Sequence, residues 1–291
     1  MRYVLTLVAA RSSTSLTPAM IRRVGEAVRG DPFISLNDGE AADIPCAEPP
    51  DSIAIQQALE NAPVDWIVTK ARGRRKGLLV ADMDSTIVSS ETLDELAAFA
   101  GVKAEIEAIT QRSMNGDIDF AEALRARVSM LRGLNLDALE KTWKQTRLTP
   151  GAMELVATMR AHNALTALVS GGFTFFTAKV AALVGFDQHH ANLLLDDGVA
   201  LTGEVGEPIL DRDAKKHTLV RLAEERGLKP HATLAVGDGA NDLAMLRVAG
   251  LGVAFHAKPI VAREVKARVD HGNLRALLFA QGYPASAFAK Q

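Results

Sequence analysis

Short apolar runs separated by helical patterns fill the chain from residue 78 onward, whereas the first seventy residues mix one clear strand, two helical stretches and a turn-rich middle. Residues 3–10 form a brief apolar run with Thr6 inside it, which predicts a β-strand rather than a secretory leader. Pro18 to Arg29 and Ser52 to Asn61 carry helical periodicity, and residues 31–50 are rich in turn formers with little periodicity. This first segment shows no paired carboxylates, no histidine and no glycine-rich loop, so it offers no visible chemistry. It closes on Ala71-Arg-Gly-Arg-Arg-Lys-Gly77, which reads as a solvated connector between domains.

The later texture is that of a parallel sheet with crossover helices. Three apolar runs stand out: Gly77 to Ala81, Ala164 to Val169 and Ala232 to Gly237. Each ends in polar or glycine residues: Asp82-Met-Asp-Ser-Thr86, Ser170-Gly-Gly172 and Asp238-Gly-Ala-Asn-Asp242. Ligands of open α/β sheets bind beyond the carboxyl ends of the strands, so the three ends are expected to converge on one pocket. The stretch between the first two runs is far too long for a simple crossover, and four segments in it are helical in pattern: Thr92 to Ala100, Lys103 to Arg112, Asp119 to Leu131 and Leu136 to Lys144. They predict an inserted helical cap, about residues 92–149. Leu193 to Val205 carries aspartates and glycine between apolar runs, a β-hairpin signal. The expected architecture is α/β: a small N-terminal α+β domain (1–72), then a Rossmann-like parallel-sheet core with the cap inserted (73–291).

Composition narrows the partners. In 291 residues, 33 lysines and arginines nearly balance 35 aspartates and glutamates, so charge gives no case for nucleic acid or an anionic membrane, and a small-molecule partner is expected. No run approaches the roughly 20 apolar residues of a membrane span. The single cysteine, Cys46, cannot make an internal disulfide, which fits a reducing cytoplasm. Nothing in the sequence fixes the oligomeric state; a homodimer is left open.

Asp82 and Asp84 lie two apart where a buried strand runs out, so in extended chain both carboxylates face one side. Such neighbours repel, which favours a shared cation or a retained proton, and either serves a nucleophile beside an acid and base. Asp238 adds a hard oxygen ligand of the kind Mg²⁺ prefers. Ser170 and Gly171 offer a hydroxyl and open backbone N–H groups, the materials of a phosphate cradle. Lys215 could neutralise a phosphate. Taken singly, each has a plain alternative: a helix cap, a turn, a solvated lysine.

Together and in this order, Asp82-Met-Asp-Ser-Thr86, Ser170-Gly-Gly, Lys215 and Gly237-Asp238-Gly-Ala-Asn-Asp242 resemble the four motifs of the haloacid dehalogenase-like hydrolases, and within them those of the phosphoserine phosphatases, over about residues 75–285. The resemblance implies that Asp82 is the nucleophile that becomes an aspartyl-phosphate and that Asp84 is the acid and then the base. It implies Lys215, Ser170, Gly171 and Asn241 around the phosphate, and Mg²⁺ held by Asp82, the Asp84 carbonyl and Asp238. Glu91 and Arg127 match the pair that reads a substrate's ammonium and carboxylate, and Met114 and Phe120 match apolar positions beside it. The implied reaction converts O-phospho-L-serine to L-serine and phosphate, the last step of serine biosynthesis, with the cap closing to bring Arg127 to the substrate. The same chemistry on another small phosphomonoester, phosphoryl transfer to an acceptor other than water, and a non-enzymatic amino-acid sensor are the competing readings. Many bacterial relatives carry an ACT-type regulatory module where residues 1–72 stand; here its strand and helix pattern is partial. His189-His190 reads as a solvated loop pair, and Trp66 and Trp143 as packing residues.

Overall fold

A computed structural model describes residues 2–115, 117–210 and 213–289; the side chain of Met114 lies outside the described residues. The N-terminal segment runs β1 (Tyr3–Ala9), α1 (Pro18–Ala27), β2 (Ile34–Asn37), β3 (Ala41–Cys46), α2 (Ser52–Leu59) and β4 (Val64–Lys70), an antiparallel sheet in the order β2-β3-β1-β4. The succession βαββαβ is that of ferredoxin-like folds. Thr17 and Asp51 accept the first-turn N–H groups of α1 and α2, which fixes where those helices begin. The turn-rich stretch 31–50 therefore holds two strands. Every residue of β3 is buried, Asp43 and Pro45 included, so it shows none of the alternation of a strand with one wet face.

The rest is the parallel core. β5 (Leu78–Ala81) runs through one wide helical turn, Met83–Ile87, into the cap helices α3 (Thr92–Ala100), α4 (Lys103–Asn115), α5 (Phe120–Ser129) and α6 (Asp137–Gln145). The chain returns by α7 (Ala152–Ala161) to β6 (Leu165–Phe173), α8 (Thr174–Val184) and β7 (Gln188–Asn192). His189 and His190 thus sit in a strand, not a loop. A hairpin of β8 (Leu194–Asp196) and β9 (Leu201–Val205) follows, then α9 (Ala214–Glu225), β10 (Thr233–Gly237), α10 (Leu243–Val248), β11 (Leu251–Phe255), α11 (Pro259–Glu264), β12 (Ala267–Val269) and α12 (Ala276–Ala280). The six strands order β12-β11-β10-β5-β6-β7, all parallel, with β5 central. Leu78 and Val80 face one apolar layer and Leu79 and Ala81 the other, which is why β5 is a continuous apolar run. No described helix is long and apolar enough to cross a membrane.

Two attachments shape the molecule. The cap leaves and rejoins the core side by side: Val88 bridges Leu148, and Thr149 N–H donates to the Ile87 carbonyl at 2.9 Å. The cap also rests on the hairpin, where Asn135 bridges Ala200 and Gly133 N–H donates to the Leu201 carbonyl at 2.8 Å. The N-terminal sheet docks on the core through buried acids. Arg74 donates to both Asp43 oxygens at 2.6 and 2.9 Å and to Thr6 at 2.9 Å. Arg275 donates to Glu40 at 2.9 Å, and Asp65 on β4 accepts the backbone N–H groups of Asp270, His271 and Gly272 just beyond β12. The expectation of a solvated connector fails at Arg74, whose side chain is 12% exposed.

Candidate active site

The parallel sheet determines where the polar strand ends meet. Asp82 N–H donates to the Val236 carbonyl at 3.0 Å, so the β5–β10 ladder continues to the first aspartate and sets it beside Asp238 at the end of β10. Asp82 and Asp84 both have extended backbone, and Ser85 turns the chain with a φ of 53°. Asp82, Asp238 and Asp242 are buried, with one carboxylate oxygen of each within 4.8 Å of the others. Lys215, in the first turn of α9 and 4% exposed, donates to Asp82 Oδ1 and Asp242 Oδ1, both at 2.7 Å. Lys258 approaches Asp238 more loosely, at 3.7 Å. Three buried carboxylates thus stand around one buried ammonium, which bonds two of them.

The electrostatics follow from that imbalance. Burial first, then the charge of Asp242, raises the Asp82 carboxyl well above its usual range, and Lys215 pulls against both. Burial and Asp242 push Asp238 up to about 6. Burial opposes a charge on Lys215, but Asp242 and Asp82 outweigh it and hold the ammonium protonated. A divalent cation would relieve these repulsions, and the donors are all hard oxygens, so the set fits such an ion.

Asp84 stands beside this cluster. Its Oδ1 accepts Thr92 N–H at the start of α3 at 2.9 Å, and its Oδ2 accepts the Ser170 hydroxyl at 3.2 Å. Burial and the nearby charge of Glu91 push it up to about 6, a value suited to giving and taking a proton near neutrality. The backbone of Gly172 comes so close to Asp84 that a Cβ there would lie 3.0 Å from Oδ2. Gly171, capped by the Phe120 ring, lines a small recess with Ser170, Lys215, Leu210 and Asn241.

Glu91 and Arg127 come from the cap side. Ser85 donates to Glu91 Oε1 at 2.8 Å, and the Glu91 charge is felt at Asp84, Asp238 and Arg127, so this exposed carboxylate faces the strand-end acids. Arg127 on α5 donates to the Ala123 carbonyl and to Thr110; burial lowers its proton affinity, with Asp94 and Glu91 opposing. Of the residues expected from sequence, Asp82, Asp84, Ser170, Gly171, Lys215, Asp238 and Asn241 gather at the carboxyl ends of β5, β6 and β10, with Phe120 over Gly171 and Glu91 within electrostatic reach, while Arg127 stays on the cap, bonded to Ala123 and Thr110. Asp242, the last residue of its motif, joins the strand-end acids as the second partner of Lys215, a pairing that no spacing in the sequence announces.

Buried carboxylates clustered around a lysine, with a further acid raised to about 6 beside them, at the ends of parallel strands, suit phosphoryl transfer. The comparisons agree. The profile of the haloacid dehalogenase-like hydrolases matches residues 77–250. A probable phosphoserine phosphatase of Schizosaccharomyces pombe is 40% identical over 227 residues, 77% of this chain and 76% of that protein. A haloacid dehalogenase-family hydrolase from Salmonella enterica serovar Typhi superposes with a TM-score of 0.84 at 27% identity, covering 96% of this chain and 98% of the other. A phospho-aspartyl intermediate analogue of a phosphoserine phosphatase matches 70% of this chain and 98% of its own, at 38% identity and a TM-score of 0.66. With the family profile spanning most of the parallel core and the acid cluster in place at its strand ends, the chain belongs to the haloacid dehalogenase-like hydrolases.

Proposed function

We propose that this chain hydrolyses O-phospho-L-serine to L-serine and phosphate through an aspartyl-phosphate on Asp82. The observation that carries the substrate is that Glu91, whose charge is felt at Asp84 and Asp238, also lies within electrostatic reach of Arg127 on the cap helix α5, so an anion and a cation stand between the strand-end acids and the cap. A free amino acid presents one ammonium and one carboxylate, and this is the minimal pair that complements both. The relatives named phosphoserine phosphatase support the same reading.

The described bonds to Asp82 from Met83 N–H and Lys215 both fall on Oδ1, which leaves Oδ2 to attack phosphorus. As the Asp82 oxygen–phosphorus bond forms, the bond from phosphorus to the serine oxygen breaks, and Asp84 gives that oxygen its proton. Asp84, now ionised, takes a proton from water; the water oxygen attacks phosphorus and Asp82 is released with inorganic phosphate. Lys215 balances charge on the transferring group, while Gly171 and Asn241 line the recess beside it and could supply N–H donors to its oxygens. Asp82 and Asp238, with the Asp84 carbonyl, would hold Mg²⁺, and Asp242 lies within reach of the same cluster. When bound, the ion supplies positive charge to the phosphoryl oxygens. Phe120 and the cap exclude bulk water from this volume.

The test is phosphate release from O-phospho-L-serine and a panel of other phosphomonoesters, with and without Mg²⁺, for the native chain and Arg127→Ala. The native enzyme is expected to prefer phosphoserine and to need the ion. Losing charge-assisted bonds of roughly 1.5 to 3 kcal/mol should cut kcat/KM for phosphoserine about 10- to 150-fold and spare esters without a carboxylate. Equal losses on every ester would remove Arg127 from substrate recognition.

A further inference from the structure

The strand that carries the phosphate turn is irregular at the turn. In the β6–β7 ladder Val169 is opposite His190, but the next paired residues are Phe173 and Asn192, so β6 holds two residues more than β7 over the same interval. Residues 170–172 bulge out, and their peptide groups lose ladder partners. Side chains replace them. Asn192 Nδ2 donates to the Gly171 carbonyl at 2.9 Å, and Gly172 N–H donates to Ser170 Oγ at 2.9 Å. That carbonyl and that N–H belong to one peptide unit, which is therefore pinned at both ends.

The chain of bonds extends in both directions. Asn192 Oδ1 accepts Leu210 N–H at 2.8 Å, anchoring the amide to the segment that leads to Lys215. Ser170 Oγ in turn donates to Asp84 Oδ2 at 3.2 Å, and Asp84 Oδ1 accepts Thr92 N–H. Asn192 itself is buried and stays outside the recess. A buried amide whose donor and acceptor are both used fixes geometry with little freedom to relax.

We propose that Asn192 is a positioning residue for phosphoryl transfer: by pinning the Gly171–Gly172 peptide it fixes the shape of the phosphate turn and holds the Ser170 hydroxyl on Asp84. The inference rests on Ser170 and Gly171 being the phosphate turn, but not on which ester is the substrate. It assigns Asn192 an effect on the transferring group common to all phosphomonoesters, so the step is slowed without altered recognition of the leaving group.

The test compares Asn192→Leu, which removes both bonds at similar volume, with Asn192→Ser, which keeps a hydroxyl and leaves room for a bridging water. Steady-state kinetics are read on O-phospho-L-serine and on p-nitrophenyl phosphate, alongside Tm. Misplacing the turn is expected to lower kcat about 10- to 100-fold in Asn192→Leu, by the same factor on both esters and with KM within about twofold. Asn192→Ser should recover part of that loss. Unchanged kcat in the folded variant, a loss confined to KM, or a fall in Tm alone would overturn the assignment. Should Asn192→Leu not fold, Asn192→Ser decides by itself: a lowered kcat at native KM and Tm supports the role, and native kcat refutes it. A native enzyme that turns over p-nitrophenyl phosphate but ignores phosphoserine sinks the substrate reading; the Asn192 comparison is then made on p-nitrophenyl phosphate with the same outcomes.

Discussion

Two places in this molecule bury three carboxylates each, and they differ in charge balance. At the docking surface of the N-terminal sheet, Asp43 has Arg74, Glu40 has Arg275, and Asp65 has three backbone N–H donors. At the strand ends of the core, Asp82 and Asp242 share Lys215, and Asp238 has only the loose approach of Lys258. Burial is similar in both places; completeness of pairing is not. The first set is spent on holding two sheets together, and the second retains unmet demand for positive charge, which a divalent ion can satisfy.

Substitutions should sort along the same line. The largest effect is expected from Asp82→Asn, which should lower phosphate release by about 10³-fold or more through loss of the proposed nucleophile. Because it also removes one of three mutually repelling charges, it should leave Tm at or above the native value when no divalent ion is added. A large fall in Tm would mean that this carboxylate is structural after all. Arg74→Ala should do the reverse. It strands Asp43 in the interface and is expected to cost about 3 to 5 kcal/mol in a denaturant titration, while the folded fraction keeps its kcat at low temperature. A variant as stable as the native chain would break the contrast from the other side.

The smallest effect concerns Asp84. Because burial and the Glu91 charge push this acid up to about 6, it keeps its proton over a wider pH range than an ordinary aspartate. Removing the like charge in Glu91→Gln makes ionisation easier. The limb of the kcat/KM profile that falls as Asp84 loses its proton should therefore move to lower pH, by ~0.5 unit given the exposure of Glu91. A limb that stays in place or moves upward would show that Glu91 does not act on Asp84.

The same contrast explains what the sequence reveals. The core strands are legible because burial on both faces writes them as apolar runs, and their polar ends announce the site. Helices α3, α5 and α6 are legible from periodicity, and the β8–β9 hairpin from its aspartate and glycine turn. In the N-terminal segment the strand β3 hides its nature behind Asp43 and Pro45, whose burial makes sense only once Arg74 and the core are in place. Asp65 and Glu40 look like surface acids for the same reason: their partners lie some two hundred residues away in sequence. Asn192 is silent because a strand asparagine acquires meaning only opposite a bulge that no local pattern announces.

The Val88–Leu148 bridge has a further consequence. The points where the cap departs and returns are separated by no more than one inter-strand spacing, roughly 5 Å. To the sheet beneath, the intervening sixty or so residues are a closed loop hung from a single pair of posts. A lid of different length or shape could be spliced between those posts without changing the register of any core strand. The cap and the sheet are therefore joined through the backbone at one seam, while the β8–β9 hairpin and the Thr92–Asp84 bond hold the cap against the core from outside it.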